Sequence, residues 1–380
     1  MKIRLYLFLL IKTVLLCAAL LLSCGKDDSN TYTVEEIDGV RHVHNTASVW
    51  GDEQKIELEF IQKIGELESE DENYMFYMIL DVAVDNEGII YILDDDKCKI
   101  SKFSRDGKFI SSIGKKGEGP GEFLSPDRIK FDENGLLYVN DPGNSRISIF
   151  DQNGKFLKSI LKGKIQGTYN CQIINSGEIA LDGYMTIFTP PIIETEKLPE
   201  SFVYPLLGIY DENGNLLRGI GKATDYGDIL LTQLNQFKYV SDGSNNIYLS
   251  FFYQNRIDKY SAEGKFLWSA DRELPIEESQ GLDSGGRINF NLFSFEIQTD
   301  HRNRIWLTAL KQLLNTGLFD EYTKASEYIN FEVYNKDGIL LTRLPYNETY
   351  YSFLRIHGER LFLIDYQYSM AVYEYRIVDK

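Results

Sequence analysis

Residues 85–113 read DNEGIIYILDDDKCKISKFSRDGKFISSI, and residues 132–160 read DENGLLYVNDPGNSRISIFDQNGKFLKSI. The second stretch begins 47 residues after the first. Both contain an Asp-x-x-Gly turn, an alternating strand, a polar loop, a second strand, a tight turn at a glycine and a third strand. Alternation of apolar and polar residues with a period of two is typical of half-buried β-strands. The two stretches therefore indicate a repeated β-unit.

The same order of features recurs along the rest of the chain with lower similarity. In five repeats, the glycine of the last tight turn can be followed, at spacings of 47, 60, 50 and 74 residues. A core repeat of about 40–50 residues, lengthened by insertions, is typical of a four-stranded propeller blade. The five glycines are Gly107, Gly154, Gly214, Gly264 and Gly338.

The two ends of the repeat array complement each other. The last repeat, residues 350–377, supplies three strands, whereas residues 59–65 (EFIQKIG) resemble a fourth strand without the three before it. We therefore predict an all-β fold: a six-bladed β-propeller of four-stranded antiparallel blades, with the ring closed by an N-terminal strand. In this prediction Phe60 and Ile64 lie beside the strand around Tyr373. Closure removes the unpaired edge that an open sheet exposes.

The N-terminus has the composition of an export signal. Residues 2–4 (KIR) are basic, residues 5–22 are mostly apolar, and the run ends in LLSC at 21–24. A basic start before an apolar run is typical of a secretory signal. The ending resembles the bacterial lipobox, which implies cleavage before Cys24 and attachment of a lipid to it. We therefore predict a lipoprotein signal peptide at residues 1–23.

An uncleaved membrane anchor is the alternative, since a transmembrane helix needs about 20 residues. Lys12 lies in the middle of the run and would cost about 2.5–3.5 kcal/mol there. Residues 24–54 are predicted to be a lipidated tether and lead-in to the propeller at 55–380. Within the tether, residues 25–28 (GKDD) either resemble the signal that sends lipoproteins of Bacteroidota to the outer leaflet or form a solvated linker.

Charge limits the class of partner. The formal charge is −17, and removal of residues 1–23, which hold three basic residues and no acid, makes it −20. Nucleic acid is therefore not an expected partner, because its phosphates would be repelled. The expected partners are an unknown glycan, peptide or envelope protein, with membrane contact through the lipid anchor only. Cys98 and Cys171 alone remain beyond the anchor, too few for a disulfide framework.

Four stretches carry a resemblance to known proteins: DGVRHVHN at 38–45, DVAVDNEGIIYILD at 81–94, ISKFSRDGKFISSIGKKGEGPGEF at 100–123 and NSRISIFDQNGKFL at 144–157. The repeats resemble NHL-type repeats, and the chain resembles the six-bladed propeller lipoproteins of Bacteroidota. The resemblance implies a propeller exported to the cell envelope and anchored to the outer membrane, with exposure at the cell surface as one outcome. It implies no catalytic residues, since propellers carry many unrelated activities.

Loop lengths indicate which face of the ring binds. The turns between the first and second strands and between the third and fourth strands are tight, and they lie on one face. The remaining loops are long and variable, and long loops on a rigid scaffold usually carry function. We therefore predict a binding funnel on the long-loop face, at the start of each first strand. Its candidate residues are Asp127, Arg128, Asn170, Gln236 and Asn291.

Two functions are compatible with this funnel. The first is a binding scaffold for a glycan, peptide or protein partner, which needs no cofactor. The second is a metal-dependent hydrolase or lyase of the lactonase-like kind, in which a funnel metal polarises a carbonyl or activates water. The second requires several acids at the starts of the first strands, where Asp127 is the one acid. The sequence therefore favours binding and predicts no catalytic or metal-ligating residues.

Several local motifs are better explained by structure than by function. The glycine cluster at 117–121 lacks the Gly-Lys-Ser/Thr ending of a phosphate loop, so it indicates a crossover between blades. The acids at 94–96 lack the glycine and distal glutamate of a calcium loop. His42 and His44 supply at best half a metal site. Arg146 is interpreted as a structural arginine, because it stands at a repeated position.

Overall fold

The computed structural model describes residues 31–160, 171–175, 178–182, 205–224, 234–275, 291–312, 325–346, 352–366 and 368–380. This part of the chain holds 26 strands in six sheets, five of four strands and one of six. The predicted all-β, six-bladed architecture is confirmed. Within the same residues, no helix is long and apolar enough to cross a bilayer.

The first three strands lie outside the sequential order of the blades. They are β1 (Tyr32–Ile37), β2 (Val40–Asn45) and β3 (Ile56–Ile64). The first blade contains β4 (Ile79–Val84), β5 (Ile90–Asp94), β6 (Lys99–Phe103) and β7 (Phe109–Ile113). The second contains β8 (Arg128–Phe131), β9 (Leu137–Asp141), β10 (Arg146–Phe150) and β11 (Phe156–Ile160). The third contains β12 (Cys171–Asn175), β13 (Glu178–Asp182), β14 (Leu207–Tyr210) and β15 (Leu216–Ile220).

The remaining blades follow the same order. The fourth contains β16 (Phe237–Ser241), β17 (Ile247–Phe251), β18 (Ile257–Tyr260) and β19 (Phe266–Arg272). The fifth contains β20 (Ser294–Thr299), β21 (Ile305–Leu310), β22 (Ile329–Tyr334) and β23 (Leu340–Pro345). The sixth contains β24 (Ser352–His357), β25 (Arg360–Asp365), β26 (Ala371–Asp379) and β3. Single helical turns lie at Glu72–Tyr74, Pro142–Asn144 and Ala325–Tyr328.

The repeated turn residues shape the tight-turn face. Asp85 accepts hydrogen bonds at Oδ1 from the amides of Glu87 and Ile89, both at 2.9 Å, so one carboxylate holds the turn between β4 and β5. The turn between β6 and β7 depends on Gly107, whose amide donates to the Ser104 carbonyl at 2.9 Å. Its φ of 75° lies in the left-handed region, which glycine adopts without steric cost. Asp-x-x-Gly patterns in the sequence therefore mark where strands reverse.

Ring closure joins the N-terminal part of the chain to its C-terminal strand. β3 pairs antiparallel with β26, with Phe60 opposite Tyr375 and Ile64 opposite Val372. The predicted closure is confirmed. Ile64 is 1% exposed and belongs to the apolar cluster between the sixth and first blades, which also contains Phe362. Five further clusters fill the spaces between the other pairs of neighbouring blades.

Part of the predicted tether is folded. β1 and β2 form an antiparallel hairpin, and β2 pairs in parallel with β19 along the outer edge of the fourth blade, with Arg41 opposite Trp268 and Asn45 opposite Arg272. Apolar alternation does not reveal β1 in the sequence, because five of its six residues are exposed. The lead-in thus covers one blade edge before the chain continues to β3.

His44 fastens this hairpin to the fourth blade. Its Nδ1 lies 2.7 Å from Asp271 Oδ2 on β19, and its Nε2 lies 2.9 Å from Glu35 Oε1 on β1. The hydrogen bond to Glu35 and the carboxylate of Asp271 raise the pKa of His44, although partial burial opposes them. His44 is therefore an ion-pairing residue of the hairpin.

Cys98 is a buried residue. It is 1% exposed, its Sγ lies 3.4 Å from the Leu124 carbonyl oxygen, and the cysteine is free. Burial raises the pKa of the Cys98 thiol, which disfavours the reactive thiolate. The side chain of Cys171 is outside the described part of the chain.

Candidate functional site

The innermost strands of the blades meet at the axis and enclose a cavity of about 210 Å³. Its lining comes from five of these strands, namely β4, β8, β16, β20 and β24. Strand side chains alternate between two faces, so every second residue of an innermost strand can reach the same space. The ionisable lining residues are Asp81, Arg128, Lys130, Lys238, Tyr239, Glu296, Arg355 and His357.

Arg355 is the centre of a buried charge network in this cavity. Its Nε donates to Asp81, and its Nη1 donates to Glu296 Oε2 at 3.3 Å. Asp81 also accepts the Ile129 amide at 2.9 Å, which ties the first, second, fifth and sixth blades together. Burial opposes protonation of Arg355, but the two carboxylates raise its pKa above the ordinary value. Both acids of the lining are therefore held by one cation.

Glu296 presents one carboxylate oxygen that accepts no hydrogen bond from the described residues. The residue is 5% exposed, and Oε1 is buried at the cavity wall, while Oε2 receives the bond from Arg355. Lys238 Nζ lies 3.8 Å from Oε1, beyond hydrogen-bond distance. A buried acceptor left in this way costs about 1–3 kcal/mol. A ligand or a water can donate a hydrogen bond to such an oxygen.

The cavity is cationic although the chain is acidic. Among the described residues, four cations and two carboxylates line it, a balance of +2, whereas the whole chain carries −17. The innermost strand of the third blade does not supply the missing negative charge, because residues 161–175 contain no Asp or Glu. In a cleft partly shielded from solvent, this charge attracts anions more strongly than in open water.

Two of the cations share one aromatic ring. The Arg128 and Arg355 guanidinium carbons lie 5.5 Å and 5.6 Å from the centroid of Phe353. Cation–π contact of this kind orients arginine over a ring face. Arg128 Nη1 also donates to the Leu80 carbonyl at 3.4 Å and to the Asp127 carbonyl at 3.2 Å. The guanidinium of Arg128 is thus positioned by contacts in three blades.

The predicted funnel residues have different outcomes. Arg128 lines the cavity. Asp127 immediately precedes it and accepts from Asn140 Nδ2 at 2.7 Å. Burial raises the pKa of Asp127 to about 6, and the charge of Arg128 partly opposes this rise. Asp127 therefore changes charge near neutral pH beside the cavity.

Two of the other three predicted residues are described by the structure, and both lie outside the cavity lining. Gln236 and Asn291 precede β16 and β20, and neither is among the lining residues. Asn170 lies outside the described residues. The lining residues lie further along the strands than Gln236 and Asn291, and they include Ser241 and Thr299 at the ends of β16 and β20.

A sequence signal for the missed residues exists. Asp81, Arg128, Lys238 and Glu296 each stand four residues before the aspartate that caps the first turn of their blade. They pair with equivalent positions of the second strand, opposite Leu93, Asn140, Ser250 and Thr308. Counting back from the turn aspartate finds Asp81, Lys238 and Glu296, which we did not predict, as well as Arg128, which we did.

His357 lies at the end of β24 and contributes a neutral ring to the cavity. Its Nε2 is 3.1 Å from the Val82 carbonyl oxygen, so Nε2 carries the proton and donates. Burial lowers the pKa of His357 to about 4. At neutral pH this ring adds no charge to the lining.

The motifs interpreted as structural have structural partners. Asp94 accepts the amides of Tyr77 and Met78 at 3.0 and 3.1 Å, which explains the first acid of the 94–96 run without calcium. Arg146 donates to carbonyls in the glycine-rich crossover, including Gly119 at 2.7 Å. In the described ranges, no three His, Cys, Asp or Glu side chains are grouped as a metal site requires.

Comparison with protein families identifies the propeller. Residues 40–337 match the model of a family described as a 6-bladed beta-propeller, DUF5128. The chain belongs to this family. No curated protein sequence matches this DUF5128 member significantly.

Solved structures similar to this DUF5128 propeller share its fold at low sequence identity. One is a Bacteroides fragilis NCTC 9343 protein named as exported, with a TM-score of 0.57, 11% identity, and coverage of 89% of this chain and 99% of that one. Another is a member of the DUF4221 family from Bacteroides vulgatus ATCC 8482, with a TM-score of 0.53, 12% identity, and coverage of 86% and 99%. At such identities the likeness concerns the fold alone.

Proposed function

We propose that this DUF5128 propeller is an exported, lipid-anchored binding protein that takes an anionic ligand into its central cavity. The observation that carries the proposal is the cationic lining: four cations and two carboxylates at the axis of a chain whose overall charge is −17. Clustered cations inside an acidic protein cost stability through mutual repulsion. A bound anion would relieve that repulsion.

The location of the protein follows from its N-terminus. The basic start, the apolar run and LLSC at 21–24 support export and a lipid on Cys24. The name of the Bacteroides fragilis structure points to the same compartment. The long-loop face remains the expected surface for a glycan, peptide or protein partner, and most of it is outside the described residues.

The cavity fits an anion better than a catalytic divalent metal. Asp81 and Glu296 are its two carboxylates, and both already hold Arg355. A divalent cation prefers carboxylate and carbonyl oxygens and would be repelled by the neighbouring lysines and arginines. The lactonase-like alternative is therefore less well supported than binding.

Anion titration of the full chain in mild detergent tests the proposal. Galacturonate, benzoate and inorganic phosphate would be titrated calorimetrically at two salt concentrations. We expect one or more to bind with 1:1 stoichiometry, and Lys238→Met to weaken that binding about 10-fold, because a charge-assisted contact of 1.4 kcal/mol corresponds to that ratio. Lys265→Met is the matched control, since Lys265 is an exposed cation of the same blade. Equal effects of both substitutions, or no binding of any anion, would contradict the proposal.

A further inference from the structure

We infer that the ligand of the central cavity is a sugar acid, a small molecule with one carboxylate and with hydroxyl groups. The inference rests on the proposed anion-binding function and names the class of anion. Two features of the lining carry it: the acceptor left open on Glu296 and the size of the charge excess.

The open acceptor requires a donor on the ligand. Glu296 Oε1 is buried and accepts no hydrogen bond within the described part of the chain. An ionised carboxylate alone cannot satisfy it, because such a group only accepts hydrogen bonds and two anionic oxygens repel each other. A hydroxyl can donate to it, and a hydrogen bond to a charged acceptor contributes about 1.5–3 kcal/mol. The cavity therefore favours an anion that also carries an alcohol.

The donor and the anionic group must be close together in the ligand. Lys238 Nζ lies 3.8 Å from Glu296 Oε1, so the cation that would receive the carboxylate adjoins the oxygen that would receive the hydroxyl. Aldonic acids carry a hydroxyl on the carbon next to the carboxylate, and cyclic uronic acids carry their nearest hydroxyl one carbon further along the ring. A molecule with both groups at this spacing satisfies Lys238 and Glu296 together.

The charge excess matches a monoanion. The lining carries +2, and ionised Asp127 beside it reduces the local balance to +1. A single carboxylate neutralises this balance, whereas a phosphate dianion would exceed it. The cavity volume of about 210 Å³ has room for several waters and therefore for a monosaccharide.

A series of wild-type ligands tests the inference without any variant. We expect galacturonate to bind about 10-fold more tightly than cyclohexanecarboxylate, which has the same charge and ring size without hydroxyls, because one hydroxyl bond to Glu296 provides at least 1.4 kcal/mol. Galactose, which has the hydroxyls without the charge, should not bind measurably. Calorimetry on the full chain in detergent provides the three dissociation constants.

The variant Glu296→Gln tests whether Glu296 is responsible for the preference for galacturonate over cyclohexanecarboxylate. In this variant the preference for galacturonate over cyclohexanecarboxylate should fall below about 3-fold, while cyclohexanecarboxylate binding is retained. Glu263→Gln removes the same charge at an exposed position of the fourth blade and should leave the preference unchanged. Thermal unfolding establishes that each variant is folded.

The outcomes separate this inference from the proposed function. Equal binding of galacturonate and cyclohexanecarboxylate by the wild type would overturn the sugar-acid inference, since water would then satisfy Glu296, while anion binding would stand. Binding of phosphate in preference to either acid would have the same meaning. Absence of binding by every anion would overturn both.

Discussion

The ring of Phe60 packs edge-on against the ring of Tyr375, with centroids 5.6 Å apart and planes at 68°. The two residues are also opposite each other where β3 pairs with β26, so the contact joins the first propeller strand of the chain to the last. Phe60 is 55% exposed, whereas Tyr375 is 8% exposed. Closure therefore depends on the residues of β3 that face the core more than on Phe60 itself.

Substitution of Ile64 should destabilise the closed ring. Ile64→Ala removes a side chain that is 1% exposed and packed between the sixth and first blades, so we expect a loss of about 2–5 kcal/mol in the free energy of unfolding. Urea denaturation followed by tryptophan fluorescence measures it. Ile61→Ala on the same strand, at a residue 38% exposed, should cost less than about 1 kcal/mol. Equal losses would contradict the closure described for β3.

Removal of Arg355 should leave two buried carboxylates without their cation. For Arg355→Met we expect a loss of about 3–5 kcal/mol at neutral pH, because Asp81 and Glu296 keep their desolvation cost and lose their partner. Denaturant unfolding of the wild type and the variant at pH 7 measures the difference.

A matched arginine provides the control for that experiment. Arg376 lies 3.6 Å from Glu59, with both side chains about half exposed. Exposed pairs contribute about 0–1 kcal/mol, so Arg376→Met should have little effect. A comparable loss in both variants would contradict the prediction that burial makes the contacts of Arg355 with Asp81 and Glu296 important for stability.

His357 should make the fold sensitive to moderate acid. Its pKa falls from 6.5 in the unfolded chain to about 4 in the fold, so the unfolded state binds more protons between these values. The stabilising contribution is present above pH 6.5 and declines as the pH falls towards 4, by up to about 3 kcal/mol. The difference in unfolding free energy between the wild type and His357→Asn should therefore shrink from pH 7 to pH 4.

That comparison must use the variant, because Asp127 has the opposite effect. Its pKa rises from 3.8 to about 6, so the folded state gains protons as the pH falls through this range. The difference between the wild type and His357→Asn cancels the shared contribution of Asp127. A difference that is constant across the pH range would show that the histidine is not buried as a neutral ring.

The hairpin of β1 and β2 should loosen as the pH rises. The pKa of His44 is raised, chiefly by its hydrogen bond to Glu35, so its stabilising contribution is complete below pH 6.5 and is lost above the folded value. Hydrogen exchange of β2, corrected for intrinsic rates, should show less protection at pH 8.5 than at pH 6. Glu35→Gln should reduce this difference, and Glu36→Gln, at an exposed neighbour, should not. An unchanged profile in Glu35→Gln would contradict this contact.

Local chemistry made much of the fold predictable. Turn residues such as Asp85 and Gly107 act on backbone atoms within four residues of themselves, so their spacing reveals each strand reversal. The orphan strand at 59–65 could be paired with the last repeat because a propeller has no free edge. The docking of the hairpin at 32–45 could not be predicted in this way. It depends on contacts between Asn45 and Asp271, which are far apart in sequence.

The sequence by itself determined the six blades, the closing strand and the N-terminal export pattern, because each follows from neighbours in the chain or from a repeated period. The tertiary structure alone decided the character of the central cavity. Asp81, Glu296 and Arg355 come from different blades, and their charges interact only because the innermost strands meet at one axis. Coulomb interactions depend on distance in space and on burial, and the spacing of residues along the chain determines neither.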